Sequence, residues 1–160
     1  MLDCADQVLA SAPSVEHEGR LLRDEFLPIL AKLRNRYDAI PAPKTGQGSE
    51  AEVLRELRHC HYLRTVALGC FVGTVLNYII TMSGGGTFEI VEESELYVEE
   101  IISLARAASR YRPLGACALS ICLTGACAVS NNADTRAIAE ELRLEYDKDF
   151  VGVDTYHLSK

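Results

Sequence analysis

The 160-residue chain is predicted to fold as a single all-α domain, a helical bundle of about five helices. Apolar residues recur every three or four positions in four segments, a fifth segment is apolar on every side, and stretches that contain Gly, Pro or Asn separate these segments. No stretch alternates apolar and polar residues over a convincing strand length. Hydrophobic residues make up 48% of the chain and charged residues 24%, an ordinary globular composition from which we expect one sizeable core.

The N-terminal part predicts one amphipathic helix after a short leading segment. Residues 1–13 end in Ser11-Ala12-Pro13 and are expected to form a short helix or a loose start. Residues 14–37 then show helical periodicity, with Ser14 as a plausible N-cap and with Pro28 expected to kink the helix or to start a new one. Residues 38–48 are rich in Pro and Gly, which predicts a linker. The expected inward stripe of this helix is Leu22, Phe26, Ile29, Leu30, Leu33 and Tyr37.

A second helix is predicted over residues 49–82. Ser49 and Glu52 have capping-box spacing. The first half of this segment is charged, whereas residues 65–82 carry no charge, which predicts that the helix passes from the surface into the centre of the fold. One of the three glycines at 84–86 is available for the left-handed position that ends a helix.

Three further segments complete the predicted bundle. Residues 88–91 are expected to be extended or a turn, and residues 92–111 to form a helix with acidic residues early and basic residues late. Residues 113–130 predict an uncharged helix with Pro113 in its first turn, adjacent to residues 65–82 and buried with them. Residues 133–150 predict the last helix. The expected inward residues of the third and fifth helices are Val98, Ile101, Ile102, Ala105, Ala108, Ile138, Leu142, Tyr146 and Phe150. Asn132 or Asp134 is expected to cap the fifth helix.

The charge balance argues against direct nucleic-acid binding. The chain has 16 basic and 23 acidic residues, a formal net charge of −7, which leaves little positive field to attract a phosphate backbone. Its first residues lack the basic and apolar regions of a signal peptide, so an intracellular, soluble protein is expected.

No metal, cofactor or catalytic residue is predicted. The cysteines in the segment 113–130 are five residues apart, so on a helix each is rotated by about 140° from the previous one. His59 and His61 would project about 200° apart. The glycines at 84–86 lack the Lys-Ser/Thr of a phosphate loop. The acidic pairs Glu92-Glu93 and Glu99-Glu100 are expected on a solvated face. The six cysteines, expected as free thiols, are Cys4, Cys60, Cys70, Cys117, Cys122 and Cys127.

Two kinds of protein other than a non-catalytic helical domain stay open: a two-span membrane protein and a small helical enzyme or pathway accessory protein. Residues 65–82 have the minimum length of a membrane span, and with residues 113–130 they could form a two-span protein. Arginines precede both runs, however, on what would be opposite sides of a membrane, and burial in a bundle is favoured. A small helical enzyme or pathway accessory protein would need a pocket between the central helices, on which some of Cys60, His61, Asn77 and Tyr78 converge.

One motif resembles a known family. The run Tyr111-Arg112-Pro113-Leu114-Gly115, followed by the uncharged segment and by a helix that ends in Asp149-Phe150, resembles the C-terminal part of the regulatory region of fungal zinc-cluster transcription factors. The resemblance covers roughly residues 50–152, most clearly 99–150. The zinc cluster, its basic linker and much of the helical region of that family are not in this sequence.

The resemblance implies a non-catalytic regulatory or dimerisation domain over residues 14–152, with a tail at 153–160. It implies a nuclear protein that acts in transcriptional regulation through protein or effector binding, and that associates with itself or with a related helical domain. Any contact with DNA would then come from another module.

Overall fold

The computed structural model describes residues 3–41 and 50–150, with side chains for 14–41 and 50–149. This part of the chain is helical without any strand, which confirms the all-α prediction. Residues 42–48 of the predicted linker lie outside the described residues, as does the tail at 153–160. The five α-helices of the described part are α1 (Asp3–Asp38), α2 (Glu50–Ile80), α3 (Phe88–Ala108), α4 (Ala116–Val129) and α5 (Ala133–Asp147).

Helix α1 is longer than the sequence predicts, because it continues through both Pro13 and Pro28. A new helix at Pro28 is therefore a wrong prediction. Pro28 lies on the exposed side of α1, while the fully buried Leu30 packs against α2. We attribute the continuity to this packing, which compensates for the lost backbone hydrogen bond. The predicted stripe is wrong at Leu22 and Ile29, which are exposed.

The connection between α2 and α3 is a π turn, Thr81–Gly85, in which Gly84 has a φ of 93°. This is the predicted left-handed glycine. Helix α3 then begins at Phe88, so the expected turn at residues 88–91 is wrong. The reason is a local cap: the Thr87 hydroxyl accepts a hydrogen bond from the Ile90 amide at 3.4 Å.

Helix α4 begins at Ala116, and the prediction that Pro113 lies in its first turn is wrong. Pro113 belongs to a turn that precedes α4, and its peptide bond to Arg112 is cis. Gly115 ends this turn with a φ of 80°, a conformation that a right-handed helix excludes, so α4 starts directly after it. Helix α5 has the predicted Asn132 cap, whose Oδ1 accepts hydrogen bonds from the amides of Asp134 and Thr135 at 2.9 and 3.2 Å.

Helix α2 is central, since it contacts α1, α3 and α4, and α5 packs across α4 and α3. The predicted stripe of α3 is buried in full. On α5, Tyr146 is buried, Ile138 and Leu142 pack against the core, and the side chain of Phe150 lies outside the described set. The largest fully buried side chains in the core cluster include Leu30, Leu63, Ile101, Leu119, Leu123 and Tyr146.

The uncharged part of α2 and the uncharged helix α4 are adjacent as predicted, but each is buried on one side only. Gly69 and Gly73 of α2 make their close contacts with α1 and α3 rather than with α4. A Cβ at Gly69 would lie 2.7 Å from Leu30 of α1, and one at Gly73 would lie 2.6 Å from the ring of Tyr97 of α3. The close approach of α2 to α4 is instead made at Gly125, against which the Phe71 ring packs.

Candidate functional site: a motif clasp and an outer apolar face

Arg112 joins the two parts of the sequence motif, which we call the motif clasp (Arg112, Tyr146 and Asp149). Its Nε and Nη2 donate to the two carboxylate oxygens of Asp149 at 2.7 and 2.6 Å. Its Nη2 also donates to the Glu145 carbonyl at 2.6 Å, and the guanidinium carbon lies 5.2 Å from the centroid of the Tyr146 ring. This bidentate pair fixes the C-terminal end of α5 to the turn before α4.

The clasp is ionised at neutral pH and anchored in the core. The hydrogen bonds from Arg112 lower the pKa of Asp149 below its ordinary value, and the same pairing raises the pKa of Arg112. Tyr146 is buried, and its hydroxyl donates to the Ala105 carbonyl of α3 at 2.7 Å. Burial raises the pKa of Tyr146 to about 12, so this phenol stays a hydrogen-bond donor.

The other motif residues make the turn fit against α2. Tyr111 shares a hydrogen bond of 3.0 Å with Nδ1 of His59, and the pKa of His59 is lowered, first by burial and then by Arg110. Gly115 packs directly against the Arg64 side chain, which leaves no room for a Cβ. Pro113 and Leu114 are exposed. The motif thus connects α2, α4 and α5. Arg112 makes its hydrogen bonds within the chain, to Asp149 and to the Glu145 carbonyl.

A polar cluster beneath α1 was not predicted from the sequence. Asn77 of α2 is 1% exposed. Its amide nitrogen donates to Glu93 at 2.9 Å and to the Ile90 carbonyl at 3.3 Å, and its oxygen accepts from Arg23 at 3.0 Å. Arg23 also donates to Glu93 at 2.7 Å. Burial opposes ionisation of Glu93, but the hydrogen bonds from Asn77 and Arg23 outweigh it and lower the pKa of Glu93.

A second ionic contact joins the C-terminal part of α1 to α3. Arg34 donates to both carboxylate oxygens of Glu100 and lies 3.7 Å from the thiol of Cys70. Glu93 and Glu100 were expected on a solvated face, and for these two the prediction is wrong, because arginines of α1 cover them. Glu92 and Glu99 are exposed as predicted.

The opposite side of α2 is apolar, and its large side chains are between 38% and 68% exposed. We call it the outer face, and it contains the exposed large residues of the uncharged part of α2 and of the following π turn, together with Ile121 and Ala128 of α4. A groove of about 310 Å³ runs between the two helices and is lined by Val75, Tyr78, Gly125, Ala128 and others. The hydroxyls of Thr74 and Thr81 near it donate to carbonyls of their own helix. The exposed α2 and π-turn residues are Leu68, Val72, Val75, Tyr78 and Met82.

The residues considered for an enzyme do not converge. Tyr78 lines the groove, whereas Asn77 faces Arg23 and Glu93 on the other side of α2. His61 is exposed, and Cys60 is buried, 4.0 Å from the Leu114 carbonyl.

Neither the thiols nor the imidazoles of the described residues assemble a metal site. No group of three or more His, Cys, Asp or Glu side chains in that part of the chain is placed to hold a metal ion. Five cysteines there are free, and Cys4 lies outside the described side chains. Burial raises the pKa of Cys122 to about 12 and also raises the pKa of Cys70, which makes both thiols poor nucleophiles.

One helical segment, Glu50–Gly85, is long and apolar enough to cross a membrane, with a mean hydropathy of 1.7 over its most apolar window. Of that window, 44% is buried within the fold. Core helices of globular proteins share this length and hydropathy.

Comparison of the chain with models of known families, with curated proteins and with solved structures gave no match.

Proposed function

We propose that this chain is a non-catalytic helical regulatory domain that works by protein association through the outer face. The observation that carries the proposal is the distribution of residue size around α2. Between residues 67 and 77 every buried residue is small or polar, while Leu68, Val72 and Val75 are exposed. A bundle that needed this helix only for its own core would bury the large apolar residues and expose the small ones. Contiguous exposed apolar surface of this kind marks interaction sites.

The resemblance of the motif to fungal zinc-cluster transcription factors gives the biological setting of the proposal. On this basis the domain acts in the nucleus, in transcriptional regulation, and leaves DNA binding to another module. The charge arrangement is consistent with that division. Many arginines of the described part face carboxylates within 4 Å, among them Arg20, Arg23, Arg34, Arg112 and Arg143, so much of the basic charge is neutralised internally.

The geometry favours this function over a two-span membrane protein. Helix α4 has 14 residues, which at 1.5 Å per residue gives a length of about 21 Å. The hydrocarbon core of a bilayer is roughly 30 Å thick. The pair Arg34 and Glu100 would also lie beside the middle of α2, where a membrane would have to accommodate it.

A reporter assay tests the proposal. The full chain is fused to a heterologous DNA-binding module in a fungal cell, and transcription is compared with that of the module alone. We expect a change in reporter output that Val75→Glu abolishes. Leu144→Glu is the matched control, because Leu144 is also an exposed apolar residue but lies on α5.

An unchanged output for the unmutated fusion, at normal protein level, would contradict the proposed role in transcription. A separate mobility-shift measurement at low salt checks DNA binding by the chain itself. Tight, salt-sensitive binding there would contradict the assignment of DNA contact to another module.

A further inference from the structure

We propose that the outer face is covered by the outer face of a second copy of this chain, with the two α2 helices antiparallel about a two-fold axis at Leu68. This inference rests on the proposed function, since it names the partner of that association surface. Three features of the described residues lead to it: the spacing of the exposed side chains, the position of the groove, and the charges at the two ends of α2.

The exposed side chains form a line that is symmetric about Leu68. Leu54, His61, Leu68, Val75 and Met82 are all exposed and follow one another at intervals of seven residues. A seven-residue interval places side chains in one seam along a helix, and two such seams pack against each other. Because Leu54 and Met82 are equally far from Leu68, an antiparallel copy brings Leu68 against Leu68 and Leu54 against Met82. The spacing of the seam therefore permits a two-fold interface, in which His61 of each copy lies beside Val75 of the other.

The same arrangement provides an occupant for the groove. The groove lies at the level of Val75, seven residues after Leu68. Antiparallel pairing places His61 of the second copy opposite Val75 of the first. Within each copy, Leu114 lies close to His61, because the Leu114 carbonyl is 4.0 Å from the thiol of the neighbouring Cys60. Leu114 is an exposed leucine on the α4 side of α2. Leu114 of each copy is thus placed to enter the groove of the other, over the small residues Gly125 and Ala128.

Charge also favours a second copy in this orientation. Two chains with a net charge of −7 repel each other, and contact is favoured where no carboxylate is buried. Residues 65–82 and 113–130 carry no charge at all. At the ends of the seam, the antiparallel arrangement brings the exposed Arg58 of one copy, one helical turn after Leu54, to the end of α2 in the other copy. There α3 starts with the exposed Glu89 and Glu92, so Arg58 of each copy lies near carboxylates of the other.

Sedimentation of the full chain over a wide concentration range tests the inference. We expect a reversible species of twice the chain mass. Val75→Glu and Leu114→Glu should each raise its dissociation constant by about tenfold or more, because each buries a charge in the apolar centre of the interface. Leu144→Glu should leave the dissociation constant unchanged, and circular dichroism should show that all three variants stay helical.

Disulfide cross-linking tests the orientation. In a Cys117→Ser background, which removes the exposed thiol of α4, Leu68→Cys should form an interchain disulfide under mild oxidation, because position 68 meets itself on the axis. Leu144→Cys in the same background should not.

A monomer at all concentrations would overturn the inference, as would a dimer that both Glu variants leave intact or one that Leu68→Cys fails to cross-link. Flotation of the monomer with phosphatidylcholine vesicles would overturn it in favour of a membrane surface. If the chain is monomeric while Val75→Glu still abolishes reporter output, this inference fails and the proposed function stands with a different partner.

Discussion

The two sides of α2 differ in residue size and in the kind of contact they make. On the side covered by α1 and α3, the buried residues between positions 67 and 77 are small or polar, and they let neighbouring side chains such as Leu30 and Tyr97 approach the backbone. That side also holds the ionic contacts of Arg23 and Arg34. The other side carries large apolar residues that the described part of the fold leaves exposed.

This difference shows that an uncharged stretch of helix is not necessarily buried on all sides. Absence of charge predicts only that the surface is compatible with an apolar neighbour. Whether that neighbour is the protein's own core or another molecule depends on which residues face inward. Between residues 67 and 77 of α2 the small residues face inward, where they allow close helix packing.

The largest effect expected from this comparison is a contrast between two leucines. Leu30→Ala removes a fully buried side chain that packs on Gly69, and it should lower the free energy of unfolding by about 2–5 kcal/mol. Leu68→Ala, on the outer face, should change it by less than about 0.5 kcal/mol. Urea unfolding of both variants, at concentrations where the chain is monomeric, gives the comparison. Equal losses of unfolding free energy in the two variants would contradict the description of one side of α2 as buried and the other as exposed.

A smaller effect is expected from the polar cluster that holds α1. Glu93→Gln removes the carboxylate that pairs with Arg23 at 2.7 Å and should lower the free energy of unfolding by about 1–3 kcal/mol at neutral pH. Because the folded-state pKa of Glu93 lies below its unfolded value, the stabilisation is present above the ordinary carboxyl pKa and is lost as the pH falls through the lower folded pKa. Unfolding measured against pH should therefore show a smaller acid-dependent loss in the variant. An unchanged pH dependence would contradict the assignment.

The smallest effect is expected at the motif clasp. Arg112→Lys keeps the charge but cannot pair with both oxygens of Asp149 and also donate to the Glu145 carbonyl in the same planar arrangement. Amide hydrogen exchange should become faster in the last turn of α5 and stay unchanged in α2 and α3. Faster exchange throughout the core would mean that the clasp supports the whole fold rather than one helix end.

Local signals in the sequence determined most of the secondary structure. Helical periodicity fixed the class and the buried stripe of α3, the glycines at 84–86 marked the end of α2, and Asn132 marked the start of α5, because caps and turns depend on neighbouring residues alone. The same reasoning missed the first turn of α3, where the Thr87 cap follows three glycines. It also placed Pro113 inside α4. Helix α4 begins only after Gly115 because Gly115 has a left-handed conformation, and the sequence does not show which glycines adopt that conformation.

What the tertiary structure alone decided is which face of each helix has a partner. Periodicity locates an apolar face but gives no distance between segments, so it could not show that Arg112 reaches Asp149 or that Glu93 lies under Arg23. It also could not show that α1 and α3 occupy one side of α2 and leave Leu68, Val75 and Met82 exposed. These arrangements depend on long-range packing, in which size and charge complementarity between distant segments select one neighbour among several that local sequence allows.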